Sequence, residues 1–200
     1  MSIQERKERE KQEMRSLILS AAIKLFVDKG FSSVTIRNIA SKIDYSPGTI
    51  YLYFKDKDDI FFELHNQGFS EFYKRQLSIQ DIKDPRERLK THGMTYVKFA
   101  FENPELYDLM FISRIPAKMI ERLKHWEVGE KSHSLLKLNV KQCMEAGHFK
   151  NKDADVIAFS LWSYVHGISS LFVCGRLKGI PDEQLGPLIK DTLSLLDDVV

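Results

Sequence analysis

Along most of this chain apolar residues recur three and four apart, and stretches that alternate apolar with polar are almost absent. That spacing sets side chains on one face of an α-helix, which turns every 3.6 residues, whereas a half-buried strand would need a period of two. The sequence therefore predicts an all-α protein. Glycine and proline then fix where each helix starts and stops.

Ile18, Ala22, Leu25 and Phe26 share one face of a first helix of about 20 residues, which "DKG" ends with Gly30 as a left-handed C-cap. Thr35 offers an N-cap hydroxyl to a second, short helix carrying Ile36, Ile39, Ala40 and Ile43, which stops at "DY". Ser46 can cap a third, with Pro47 at its first position, where a missing N–H costs nothing. Asp56 can cap a long fourth helix bearing Phe61, His65, Phe69 and Phe72. Further starts fall at Asp84 with Pro85 and at Pro104, a break falls near Pro116, and Gly147 closes a long helix. The stretch from Asp153 to Gly175 is apolar on more than one face, yet reads as too polar in its middle for a membrane span. Leu185, Leu188, Ile189, Leu196 and Val199 mark a last amphipathic helix whose start Pro187 obscures. The expected organisation is a three-helix head over residues 1–56 and a larger helical body over 57–200.

Composition adds exclusions. At 43 % hydrophobic and 29 % charged, the 200 residues suit a globular chain with a real core. Neither an apolar leader nor a bilayer-length apolar run is evident, so a cytoplasmic protein with no membrane partner is expected. Cys143 and Cys174 lack metal or redox spacing and are expected as buried free thiols. Six histidines are scattered without a zinc-protease spacing, so no enzyme, cofactor or metal is expected. The formal charge of +2 is too small to announce a nucleic-acid partner, and the opening "QERKEREKQEMR" reads as a solvated helix face with a basic arm, Arg6, Lys7, Arg9 and Lys11, as the other reading.

Within the head, "IDYSPGTIYLYFKDK" carries the functional signal. Three helices with a tight turn before the third describe a helix-turn-helix, whose second element enters the major groove of DNA. Ile50 and Phe54, four apart, can anchor the short third helix, leaving Pro47, Gly48, Thr49, Tyr51 and Tyr53 outside. Gly48 removes bulk so that backbone can approach DNA, while Thr49 and the tyrosine hydroxyls can reach bases or phosphate oxygens. Lys57, at the start of the fourth helix, opposes the helix dipole unless a phosphate sits there.

The run "GFSSVTIRNIASKIDYSPGTIYLYFKDKDDI", residues 30–60, resembles the TetR/AcrR family of bacterial transcriptional regulators. The resemblance implies that Thr35 and Tyr51 contact phosphates, that Arg37, Pro47, Gly48 and Thr49 face bases, and that Tyr53 and Lys57 clamp the backbone, with Ser46 and Lys55 in the same DNA-facing set. Where family members usually carry Ala-Gly, this chain has Ile43-Asp44, so Asp44 must take a left-handed or nearby conformation.

"LWSYVHGISSL" looks like the Trp-x-x-x-His-Gly element of one C-terminal subgroup, here Trp162, His166 and Gly167. Family precedent implies a homodimer through the last two helices, reading a palindromic operator in double-stranded DNA. It also implies a small apolar or amphipathic effector, for which His65, Phe69, Phe72, Tyr96, Phe99, Tyr107, Met110, Phe111, Trp126, Trp162 and His166 are the candidate residues. The function expected is a repressor released by that effector. The alternatives are a ligand-independent architectural or cell-cycle DNA-binding protein and a small helical enzyme.

Overall fold

The computed structural model describes residues 2–114 and 127–195. Among these, helices follow one another without a strand: α1 (Ile3–Lys29), a 3-10 turn (Phe31–Ser33), α2 (Ile36–Lys42), α3 (Pro47–Tyr51), α4 (Lys57–Ser78), α5 (Pro85–Glu102), α6 (Pro104–Tyr107), a π turn (Asp108–Ile112), α7 (Glu127–Glu145), α8 (Ala154–Val173) and α9 (Asp182–Ser194). The expected all-α class is what the chain adopts. Two compact units divide it, residues 2–68 with 108–114 and residues 69–107 with 127–195, so α4 contributes to both.

At 27 residues α1 exceeds the expected length, because the charged opening is itself helical. Ser2 and Glu5 form a reciprocal capping box, and the pairs Arg6–Glu10 and Arg9–Glu13 lie one turn apart at 3.2 and 3.4 Å. Such exposed pairs contribute only a few tenths of a kcal/mol each, enough to extend a helix already nucleated by packing. Gly30 ends α1 at φ +76°, in the region where a Cβ is disfavoured.

In the first unit Ile18, Ala22 and Phe26 of α1, Val34, Ile39 of α2, Ile50 of α3 and Ile60 and Phe61 of α4 form one buried cluster, to which Leu109 of the π turn is added. Burying a side chain of this kind stabilises by roughly 1.5–3 kcal/mol, which is what holds a helix as short as α3 in place.

In the second unit α5, α7 and α8 pack on one another through Leu89, Leu136, Val140, Cys143, Ile157 and Ala158. Gly93 of α5 faces α8, where a Cβ would lie 3.5 Å from Val165, an ordinary contact. A buried polar chain crosses this unit from Ser132 through Gln76, His92 and Asn139 to Arg88. Burial lowers the His92 pKa to about 4, so its ring is neutral at pH 7.

Three expectations need correction. Cys174 is exposed, not buried, because it caps the end of α8; only Cys143 is buried. By length and composition α8 is apolar enough to cross a membrane, despite its serines. Of these, Ser160 is satisfied within the helix, its hydroxyl turned back onto the Val156 carbonyl at 2.8 Å. Pro187 does not delay α9, which begins five residues earlier at Asp182 and carries the proline inside it. Leu196 and Val199 lie outside the described residues, as does the break near Pro116.

Candidate nucleic-acid interface

The turn between α2 and α3 decides how the two helices present their surfaces. Tyr45 N–H donates to the Ala40 carbonyl at 3.0 Å and Asp44 N–H to that of Ser41 at 3.4 Å, the paired bonds of a Schellman helix end. Asp44 sits at φ +59°, the left-handed conformation that its place in the turn demanded. α3 then starts from Ser46, whose hydroxyl accepts from the Thr49 N–H at 3.2 Å, with Pro47 next in line.

Ile50 and Phe54 are fully buried and fasten α3 to the core. Their opposite side is open: Tyr51 is 58 % exposed, Leu52 79 % and Tyr45 45 %. Arg37 and Gly48 are exposed as well. A Cβ on Gly48 would meet nothing closer than Ser46 Oγ at 3.5 Å, an ordinary contact, so the protein itself does not require glycine there. Leu52 and Tyr45 were not picked out from the sequence. The burial of Ile50 and Phe54 leaves them facing outward.

Thr35 caps α2 in a reciprocal box with Asn38: its hydroxyl accepts from the Asn38 backbone N–H at 3.2 Å, and the Asn38 side-chain oxygen Oδ1 accepts from the Thr35 N–H at 2.9 Å. Thr35 and Lys55 are exposed, Pro47, Thr49 and Tyr53 half-buried. Lys57, expected on the DNA backbone, meets backbone carbonyls in the single chain. Its ammonium turns inward, donating to the carbonyls of Phe31 at 2.9 Å and Val34 at 3.0 Å, and lies 4.3 Å from the centre of the Phe31 ring. Arg15 behaves likewise at the other end of the motif, donating to the Tyr53 carbonyl at 2.9 Å with its guanidinium over the Phe54 ring at 4.4 Å.

The candidate effector residues divide between the two units. His65, Met110 and Phe111 belong to the first, where His65 is buried against Phe61 and burial lowers its pKa to about 4. Phe69, Phe72, Tyr96, Phe99, Tyr107, Trp162 and His166 belong to the second, and Trp126 lies outside the described residues. Within the second unit the rings of Phe99, Phe72, Tyr96 and Tyr107 contact one another in that order, with centroids 5.2 to 5.8 Å apart. Trp162 Nε1, which can only donate, faces the Tyr96 hydroxyl at 3.3 Å; the Tyr107 hydroxyl faces His166 Nδ1 at 2.7 Å; His166 Nε2 faces Ser170 at 3.2 Å. Burial lowers the His166 pKa and raises those of both tyrosines, so this polar seam among aromatic rings is uncharged.

An exposed reading helix on a capped turn is the surface expected of a DNA-binding regulator, and known proteins share it. Residues 18–64 match the model for bacterial regulatory proteins of the tetR family, and residues 89–194 match the tetracyclin repressor-like C-terminal domain. This chain belongs to the TetR family. Like its relatives, this TetR-family protein is a DNA-binding transcriptional regulator. The HTH-type transcriptional regulator HbdR of Aromatoleum sp. (strain CIB) is 26 % identical over 157 residues, covering 78 % of this chain and 68 % of HbdR. AcrR of Shigella flexneri is 38 % identical over 71 residues, covering 36 % of this chain and only 33 % of AcrR. The match likewise spans a quarter of YuxN and 34 % of the fatty acid metabolism regulator protein, both of Bacillus subtilis. In fold, this TetR-family chain is similar to FadR of B. subtilis, solved in complex with stearoyl-CoA, with a TM-score of 0.75 at 19 % identity over 92 % of this chain and 98 % of that one. FadR of Bacillus halodurans gives 0.73 at 21 % identity over 91 % and 93 %.

Proposed function

We propose that this chain is a cytoplasmic homodimeric repressor, with residues 1–56 reading a palindromic operator and residues 57–200 pairing the subunits and binding a small apolar or amphipathic effector that releases the DNA. The observation that carries DNA reading is the outward face of α3, where Gly48 and Tyr51 are exposed while Ile50 and Phe54 are buried. The DNA-facing set is Thr35, Arg37, Ser46, Pro47, Gly48, Thr49, Tyr51, Tyr53, Lys55 and Lys57.

Pairing is supported by exposed apolar side chains on the last two helices. Val156 is 61 % exposed and Phe159 62 % on α8, and Leu188 is exposed on α9. A second copy that covers them satisfies the apolar surface of α8 without a bilayer. Two copies then read half-sites about one helical turn of DNA apart.

The aromatic set of the second unit, with its uncharged polar seam, suits a long apolar chain bearing a neutral polar group better than an ionised one. Long-chain acyl-CoA thioesters are the first compounds to test, because FadR of similar fold was solved with stearoyl-CoA. Release requires the effector to bind the DNA-incompetent state more tightly. The test is fluorescence anisotropy on a duplex selected by the protein from random-sequence DNA, titrated with stearoyl-CoA and with free stearate. Release by the thioester supports the reading; persistence of the complex through a broad panel of acyl and other apolar compounds overturns the effector-release part and favours a ligand-independent role.

A further inference from the structure

We propose that the seam of the second unit holds the polar end of the effector: the hydroxyls of Ser169 and Ser170 donate to one neutral carbonyl oxygen, that of a thioester, ester or ketone. This rests on the effector-binding role of the body and adds to it the chemistry of the group recognised there.

Ser169 is fully buried on α8, and its Oγ forms no hydrogen bond among the described residues. A serine within a helix can turn its hydroxyl onto the carbonyl four residues back, as Ser160 does at 2.8 Å. Ser169 does not. A buried hydroxyl left alone costs stability, so its presence points to a partner that the chain itself does not supply.

The groups around it define that partner. Trp162 Nε1 and the Tyr96 hydroxyl are 3.3 Å apart, the Tyr96 and Tyr107 hydroxyls 3.1 Å, Tyr107 and His166 Nδ1 2.7 Å, and His166 Nε2 and Ser170 3.2 Å. Each group brings one proton, the neutral imidazole included, and a row has one link fewer than it has members. One proton therefore finds no acceptor. With the imidazole proton on Nε2 it is that of Ser170, at the end of the row. Burial pushes the Tyr107 pKa up, and the hydroxyls of Tyr96, Ser170 and Ser169 temper the rise, which sets both serines beside the phenol. The Tyr107 oxygen already accepts from Tyr96 and gives its proton to His166, so at most one lone pair is left for two serine protons. The cluster lacks an acceptor and has donors to spare.

That shortage selects the ligand. A ketone or ester carbonyl oxygen has two lone pairs and no proton, so it can take both serine bonds. An alcohol or a primary amide brings protons of its own to a place that already has too many. A carboxylate brings a charge into a row of neutral groups. Trp162, His166 and Ser170, four residues apart along α8, are half-buried and form the open edge of the seam, whereas Tyr96 and Tyr107 are buried behind it. The Phe72 ring packs on Tyr96 and Phe99, giving the seam an apolar flank.

Calorimetry on the full chain with matched pairs of ligands tests this. One pair is stearoyl-CoA and the thioether octadecyl-CoA, in which a methylene replaces the carbonyl; the other, for an effector without CoA, is dodecanone and dodecane. Wild type is expected to prefer the carbonyl member of at least one pair by about two- to ten-fold, the scale of a neutral hydrogen bond. In Ser169→Ala that preference shrinks, while the melting temperature of the ligand-free protein holds or rises, because the unpartnered hydroxyl is gone. The carbonyl stretch of the isotope-labelled ligand should lie lower in the wild-type complex than in hydrocarbon solvent, and rise again in Ser169→Ala. Equal affinity within both pairs, or a preference that Ser169→Ala leaves intact, overturns the proposal and leaves the effector reading standing. A marked fall in melting temperature in Ser169→Ala shows the hydroxyl to be bonded within the protein and overturns the proposal as well. Failure of all four compounds to bind overturns the effector reading, and the proposal with it.

Discussion

The Tyr107 hydroxyl lies 2.7 Å from Nδ1 of His166, the shortest contact in the seam that runs from Trp162 to Ser170. With the imidazole proton on Nε2, Trp162 donates to Tyr96, Tyr107 donates to His166, and His166 donates to Ser170, so no charge is needed. Tyr107→Phe removes the closest donor to Nδ1 and should destabilise the fold by about 1–2 kcal/mol in urea denaturation. Tyr96, at 3.2 Å from the same nitrogen, limits the loss. Operator affinity without effector should not change.

Gly48→Ala should separate stability from DNA binding. The added methyl meets only Ser46 Oγ at 3.5 Å, and alanine is the better helix residue by up to about 1 kcal/mol. Melting temperature is expected to hold or rise while operator affinity falls at least several-fold in a binding titration. Undiminished binding would remove Gly48 from the interface.

At Asp44 the backbone is left-handed, φ +59°, where any side chain is strained. Asp44→Gly is expected to raise stability by about 1 kcal/mol with DNA affinity retained, and Asp44→Val to lower both. Thermal denaturation and the same DNA titration read the two effects.

Phe159 is 62 % exposed on α8 in the single chain. Phe159→Glu should leave the helical circular dichroism spectrum unchanged, shift sedimentation from dimer to monomer, and weaken binding to a palindromic duplex much more than to a half-site. A variant that remains dimeric would show that α8 does not pair the subunits.

Burial lowers the pKa of both His65 and His92 to about 4, below the value of about 6.5 expected in an unfolded chain. Between these values the unfolded state binds more protons, so stability rises with pH. The contribution is complete above about pH 6.5 and is lost as pH falls toward about 4, with a slope of about 1.4 kcal/mol per pH unit for each histidine. Urea midpoints between pH 7.5 and 5 check the slope. Carbon chemical shifts of the two rings, which should remain those of neutral imidazole at pH 5.5, check its cause.

Much of the head was legible before any coordinates. Capping by Thr35, Ser46 and Asp84, the proline at the start of α3, the glycine ending α1 and the left-handed Asp44 are all set by local backbone chemistry, which depends on residues within a few positions. The internal contacts of Lys57 and Arg15 were not legible, because their partners lie 26 and 38 residues away in sequence. The body was harder still. Its aromatic residues repeat at helical spacing whether they line a ligand site or fill a core, and only the packing brings Tyr96, Tyr107, Trp162 and His166 into one seam.

The amino-acid order alone determined the helical class, the caps of the helices around the turn and the helix-turn-helix motif, since hydrophobic period and capping are short-range properties of the chain. Tertiary structure alone decided which cations point inward, which apolar side chains stay exposed, and which polar groups meet among the aromatic rings. Those outcomes depend on burial and on contacts between distant segments, and neither exists until the helices pack.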